Sequence, residues 1–375
     1  MLVGLAVAAV GFCMSFQMGA QANFLSDEMK GIRGEHVGVL EATRETCGIT
    51  ALAVLALLSG LAEPVVGAVM LMLLGVGLAS YAQIHDYWWL VVMSMVWSQG
   101  LHVWMPLPGS MTLALAEPGK AGLRLGQIGA WGAAGSALGL LAALGLLAGL
   151  KLIGIDLHLR PLYYVAGAAA VVGAAACLAI PRDIKTPGPR LLLRRRYGLY
   201  YVLCFLEGWR KQISIGFAGF LLTKQYGTPI ETMLLLWVAI SGISYLASPL
   251  VGRLIDRVGE RAVMVCYYVA LAGMFLGYAF VRSSWALYGI FVLDNAFFVL
   301  TAALTTYVNR IAPQSEHTAT LTMGVAVNHV AAVAMPLTGA LLWKELGYMW
   351  TFLIGSAFAA ASVLAAVRLP RRASA

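Results

Sequence analysis

Charged side chains stand inside runs of apolar sequence, where a bilayer would make them costly to keep. Glu41, Arg44 and Glu45 share one run, and Glu207, Arg210 and Lys211 share another at the same spacing, with Gln212 beside them. On a helix turning ~100° per residue, each set falls within one arc of about 100°, so its members can pair with one another or face a common cavity. One set is net negative and the other net positive. Asp294 lies in a third run, next to Asn295, with no ionisable partner close by in sequence. A carboxylate so placed is a candidate to take up and release a proton. Asp294 is the first candidate for that role, Glu207 the second and Glu41 the third. Uncharged polar residues occupy the middle of other runs: Gln17 and Gln21, Gln99 and His102, Asn328 and His329. The plainer reading stands beside each: an ion pair within its own helix, or a histidine satisfied by packing.

These residues need elements to hold them. The chain has 375 residues, 61% hydrophobic and 11% charged, with a mean hydropathy of +0.82. Soluble domains are roughly 45–50% apolar and about 25% charged, so a soluble enzyme, a disordered chain and a disulfide-stapled secreted fold are excluded. The apolar runs, such as 65–82 and 128–150, far exceed the ~10-residue alternating strands of a membrane β-barrel. Helices needing ~20 residues each fit twelve runs: 1–25, 37–59, 65–82, 88–116, 128–150, 162–180, 198–224, 230–251, 263–281, 284–309, 319–343 and 347–368. The first lacks a basic start and continues past Phe24, so it reads as a span and not as a leader cleaved near Ala20-Gln21-Ala22. Cys13, Cys47, Cys177, Cys204 and Cys266 all lie in apolar runs and read as packing residues. Neither a metal site nor a cofactor is expected.

A basic, proline-bearing stretch with Arg182, Lys185, Arg190, Arg194, Arg195 and Arg196 separates the sixth and seventh runs. The chain therefore reads as an N-terminal six-helix bundle over 1–180, a basic cytoplasmic linker over 181–197, and a C-terminal six-helix bundle over 198–375 with a basic tail. Lys and Arg concentrate in this linker, in the 4–5 and 8–9 loops and at the tail, which places both termini in the cytoplasm. The net charge of +8 is thus a topology signal. Nucleic acid is not an expected partner, whereas anionic lipid headgroups beside the linker are. An offset of about 196 residues aligns Glu35 with Glu231 and suggests an internal repeat.

Residues 252–261 read Gly-Arg-Leu-Ile-Asp-Arg-Val-Gly-Glu-Arg, directly after the eighth run. Gly252, Asp256, Arg257, Gly259 and Arg261 resemble the loop signature of the major facilitator superfamily, G-x-x-x-D-R-x-G-x-R. The resemblance implies an all-α polytopic membrane protein whose twelve transmembrane helices form two pseudo-symmetric six-helix bundles. It also implies that helices one, four, seven and ten line a central cavity, and that the loop latches the halves, with Asp256 approaching 122–126. The corresponding 2–3 loop, 59–64, has no arginine and departs from the pattern. Gly129, Gly132, Gly135 and Gly139 on the fifth helix, with Pro336 and Gly339 on the eleventh, suit either a sliding surface between halves or ordinary close packing.

The expected function is a secondary active transporter of the inner membrane, working by alternating access as a monomer. Arg210, Lys211 and Arg44 suggest a small organic anion or amphipathic solute, with protons as the candidate coupling ion. Trp97, Trp104, Trp209, Phe205 and Phe298 are candidate contacts for an apolar part of the cargo, whereas Trp88, Trp89, Trp285, Trp343 and Trp350 read as interfacial anchors. A multidrug-type exporter is the alternative within transport. From other classes come a membrane-embedded enzyme, for which His102 and His329 lack a third ligand, and a lipid scramblase or receptor. No phosphate-binding G-x-x-x-x-G-K-[ST] occurs, which excludes an ATP-driven pump.

Overall fold

The computed structural model describes residues 1–117, 121–154, 159–185 and 192–370. Those residues are almost wholly helical: α1 Leu2–Asn23, α2 Gly34–Leu57, α3 Glu63–Ser80, α4 Tyr87–Trp104, α5 Leu107–Leu115, α6 Ala121–Leu152 and α7 Leu162–Leu178 come first. After the linker follow α8 Gly198–Gln212, α9 Ile230–Val258, α10 Glu260–Phe280, α11 Ser284–Ala296, α12 Ala302–Ile311, α13 Gln314–Leu346 and α14 Tyr348–Ala366. Among the described residues, nine helical stretches are long and apolar enough to cross a membrane by length and composition. This is an all-α, multi-pass membrane protein.

Local chemistry explains several boundaries. The Asp86 carboxylate caps α4 by accepting from the backbone N–H groups of Trp88 and Trp89. Gly259 (φ +82°) and Gly347 (φ +92°) join α9 to α10 and α13 to α14 through left-handed turns. Three predicted runs are broken where prolines or non-α turns intervene. Pro106 separates α4 from α5, a tighter 3-10 turn over Phe297–Thr301 separates α11 from α12, and α8 gives way to a π-helical turn over Ile213–Ala218.

The chain divides into two compact units: Met1–Gly31, Thr46–Pro189 and Pro229–Leu235 form one, and Ile32–Glu45, Arg190–Thr228 and Leu236–Ala375 the other. In the first unit α1 packs on α6, with glycines at the closest points of approach. A Cβ at Gly135 would fall on the Ala8 carbonyl, and one at Gly139 would lie 2.5 Å from the Phe12 carbonyl oxygen. Gly135 and Gly139 therefore serve close packing inside one unit, while Gly129 has open space where a Cβ would be. Phe16, Phe24, Tyr81 and Tyr163 form the aromatic centre of this unit. Arg160 closes one end, pairing with Glu28 at 3.2 Å, bonding the Ile84 carbonyl and lying over the Phe24 ring.

In the second unit α8 packs on α13 and α14, and α10 on α14. The first half of α2 belongs here and docks through a stripe at 4-3-4 spacing. Gly34 meets the Trp343 ring, Gly38 the Pro336 carbonyl, Glu41 the small Gly216, and Glu45 reaches His329. Gly339 faces Phe217. These glycines admit a neighbouring helix where any side chain would hold it off.

Candidate functional site

One helical turn separates Glu207 from Arg210 on α8, and the two form a buried ion pair. Arg210 Nη2 lies 2.7 Å and Nε 2.8 Å from Glu207 Oε1. The guanidinium's other arm points to Asp294 on α11, with Nη1 3.7 Å from Oδ1. Helix α10 supplies a hydroxyl to each carboxylate: Tyr267 donates to Glu207 Oε1 at 3.2 Å and Tyr278 to Asp294 Oδ2 at 3.4 Å. The Arg210 guanidinium also lies 5.0 Å from the Phe298 ring centroid and 5.7 Å from that of Tyr267. Exposure is 5% for Glu207, 3% for Arg210 and 0% for Asp294. Two carboxylates thus share one guanidinium away from water, with Glu207 Oε2 and Asp294 Oδ1 accepting no hydrogen bond among the described residues. Such a group is one positive charge short of neutrality, and a proton is the smallest species that supplies it.

Lys211, next in sequence, faces elsewhere because consecutive helical residues diverge by ~100°. It turns to α2, where its Nζ lies 3.9 Å from Glu45 Oε2. His329 on α13 reaches the same oxygen through Nδ1 at 3.0 Å, and Arg44 pairs with Glu41 and stands 3.8 Å from Glu45 Oε1. The α2 and α8 sets are therefore regrouped in space. Arg210, read from the sequence as a cavity cation, is committed to two carboxylates. Asp294, without a partner in sequence, has two.

The remaining residues singled out above fall into three groups. Asn295 bonds back to the Phe291 carbonyl of its own helix, and Asn328 bonds the Cys204 carbonyl across to α8. In the first unit Gln17 donates to Gln21 at 2.9 Å, Gln99 accepts from Thr50 at 2.6 Å, and His102 bonds the Ser98 carbonyl at 2.8 Å. Trp97 and Trp104 are 3% exposed: Trp97 donates to the Tyr81 hydroxyl and Trp104 covers Gly67. Both are core residues of their unit, which withdraws the aromatic cargo contacts expected of them. Trp209 stacks on Phe358 at 4.0 Å between centroids. Trp88, Trp89, Trp285 and Trp350 are exposed, as anchors should be, but Trp343 packs against Phe217, Phe220 and Tyr348.

In the signature loop Gly252, Asp256 and Arg257 are exposed at the end of α9, Gly259 makes the turn, and Arg261 is half-buried at the start of α10. The side chains of residues 122, 123, 125 and 126, toward which Asp256 was expected to point, lie outside the described residues, as do 186–191 of the linker and the tail from 371. Several ion pairs escaped the sequence reading, Arg160–Glu28 among them. Arg310 at the end of α12 binds the buried Glu260 of α10 at 2.8 Å, an acid on a helix's first turn. Glu316, on the first turn of α13, is clasped by Arg194 at 3.1 Å, by Arg196, and by the Tyr197 hydroxyl at 2.8 Å. Its position after Pro313, where α13 begins, was the available signal. At the linker's other end the Glu63 N–H donates to the Ile184 carbonyl at 2.8 Å.

The Tyr197 hydrogen bond, aided by Arg196 and Arg194, holds the Glu316 carboxyl below its ordinary value. A depressed carboxylate contributes stability above the ordinary range, and that contribution is lost as pH falls through the depressed value. The melting temperature of Glu316→Gln should therefore lie below that of the parent at pH 7, and the gap should narrow as pH falls below the ordinary carboxylate range. A gap that persists unchanged below that range would exclude a charge-based clasp.

Residues 200–375 match the family model described as Major Facilitator Superfamily. The whole chain also superposes on solved structures of that architecture. The nucleoside transporter NupG gives a TM-score of 0.76 at 15% identity, over 98% of this chain and 99% of that one. A D-xylose-proton symporter gives 0.73 at 15%, over 99% and 97%. A bacterial homologue of the human lysosomal transporter Spinster gives 0.73 at 12%, over 100% and 98%. Residues 200–375 thus resemble the major facilitator superfamily, and the chain as a whole shares the fold of these transporters. Among curated proteins none matches. The matched stretch, just under half of the chain, holds the signature loop and the buried Glu207–Arg210–Asp294 group, while the likeness of the residues before it rests on the fold alone.

Proposed function

We propose that this chain is a proton-coupled secondary transporter of a small organic solute, operating by alternating access in the inner membrane. The reading rests on one observation above all: two buried carboxylates, Glu207 and Asp294, divide one guanidinium inside a fold of this superfamily. Charged groups retained inside membrane helices usually mark ion or proton pathways. Twelve spans in two six-helix bundles, 1–180 and 198–375, joined by the linker 181–197 with both termini cytoplasmic, suit the basic linker and the fold. The signature loop Gly252–Arg261 would act as the gating loop at that face, and the protein would work as a monomer.

Among the candidate site residues, Asp294 and Glu207 are assigned to the proton. Gln17, Gln21, Gln99 and His102 of the first unit, with Lys211 and Gln212 of the second, are assigned to the cargo or its surroundings. Glu41, Arg44, Glu45 and His329 form the charged set through which α2 docks. Because Arg210, Arg44 and Lys211 each stand beside a carboxylate, the case for an anionic cargo weakens in favour of an uncharged one. The named structural neighbours carry a nucleoside and D-xylose, so nucleosides and pentoses open the panel, beside organic anions and hydrophobic cations.

Proteoliposomes loaded with a pH-sensitive dye test this. Uptake of one panel class should acidify the lumen and should lose its proton component in Asp294→Asn, with counterflow retained. Uptake that no pH gradient affects would exclude proton coupling. Competition by hydrophobic cations alone would favour the exporter reading.

A further inference from the structure

Tyr267 and Tyr278 are eleven residues apart on α10, three turns, and so face the same side of the helix. Each hydroxyl meets one of the two carboxylates that compete for Arg210, yet the two carboxylates are held very differently. Glu207 has two guanidinium contacts at 2.7 and 2.8 Å on Oε1, with Tyr267 at 3.2 Å on the same atom. Asp294 has Tyr278 at 3.4 Å on Oδ2, and the guanidinium at 3.7 Å from Oδ1, beyond hydrogen-bond reach. Oδ1 is buried and makes no hydrogen bond of good geometry among the described residues, with the Ser214 hydroxyl nearby, and Asp294 is 0% exposed. The titratable and polar groups around the pair are Cys204, Arg210 and Ser214 from α8 and its π turn, and Tyr267, Tyr268 and Tyr278 from α10.

We infer that Arg210 is a two-position switch and that Tyr278 is the residue that positions it. In the arrangement described, Arg210 is bound to ionised Glu207 and the proton sits on Asp294 Oδ1, the oxygen without a well-aligned donor among the described residues. When that proton leaves, Oδ1 becomes an anion facing Nη1, and Arg210 swings from Glu207 toward Asp294. Tyr278 keeps hold of Oδ2 throughout, so the carboxylate cannot rotate to follow the proton and the charge change is delivered to α8. Tyr267 anchors Glu207 while its guanidinium is shared. The inference rests on the proton-coupled reading above and adds the residue that sets the proton's release.

The π-helical turn Ile213–Ala218 begins three residues after Arg210. A π turn is a local departure from the i→i+4 ladder that recurs at functional sites. It gives α8 a place to absorb a shift of the arginine without moving the whole helix.

The test needs no cargo. Protein in lipid vesicles is titrated with pH, and the carbonyl stretch of a protonated carboxylic acid is followed by infrared difference spectroscopy. Apart from any that the buried Glu63 contributes, one component of the band should vanish in Asp294→Asn. In Tyr278→Phe, which removes a donor to the ionised form, its midpoint should move to higher pH by about half to one unit, roughly three- to tenfold in proton affinity. Tyr267→Phe, the same change on the same face of the same helix, should move it by less than half as much. Equal shifts in the two variants, or a parent-minus-Asp294→Asn spectrum that holds no such band, would overturn the inference. A protein that transports none of the panel but passes this titration would refute the transport reading and leave the switch standing.

Discussion

Arg210→Met should abolish uptake and destabilise the protein by about 3–5 kcal/mol, the usual cost of leaving buried charge without its partner. The side chain is 3% exposed and is the one cation between Glu207 and Asp294 among the described residues. Without it both carboxylates must take protons or draw in water, and either outcome disturbs α8, α10 and α11 together. Adding Asp294→Asn should recover a large share of the lost stability, because a single carboxylate then remains to be neutralised, and it should not recover proton-coupled uptake. Thermal unfolding in detergent and uptake in proteoliposomes read the two effects separately. If Arg210→Met melts within 1–2 °C of the parent, the three residues are not the coupled group described here, since ~1 kcal/mol already shifts a melting temperature by a few degrees.

The second large effect belongs to the seam between α1 and α6. Gly135→Val should unfold or severely destabilise the first unit, at a cost of about 3 kcal/mol or more, because its Cβ would fall on the carbonyl of Ala8 and no rotamer relieves a clash with backbone. Gly129→Ala, on the same helix, should be neutral or stabilising by about 0.5–1 kcal/mol, since open space surrounds that position. Opposite signs on one helix, read by melting temperature, separate a packing contact from a general intolerance of α6 to substitution. Equal losses at both positions would mean that α6 tolerates no substitution in general and that the contact at Gly135 is not the cause.

The helices themselves were legible because a bilayer imposes a coarse rule. Each of the twelve apolar runs coincides with a helix or a pair of helices in the structure, and composition alone placed the chain in a membrane. The signature at 252–261 pointed to the superfamily, and the family model matches the stretch that contains it. The breaks at Pro106, at Phe297–Thr301 and after Gln212 were not read, since hydropathy averages over windows longer than a turn. Two sequence-level groupings did not survive folding. Arg210 and Lys211 are neighbours in the chain and read as one positive patch, yet α8 sends one inward to Asp294 and the other to Glu45. Trp97 and Trp104 read as cargo contacts and are core residues.

The pairing between helices could not be read at all. Asp294 lies more than eighty residues from Arg210, and Glu45 nearly three hundred from His329, so no local spacing reports either contact. The sequence by itself determined that the protein lives in a bilayer, where its charged residues stand within the spans, and to which superfamily its loop belongs. Those properties follow from residue type and short-range order, which hydrophobic transfer and helical periodicity convert directly into structure. Which charges neutralise one another was decided by tertiary packing alone. Coulombic pairing in a low-dielectric interior depends on distances of a few ångströms, and only the folded chain sets them.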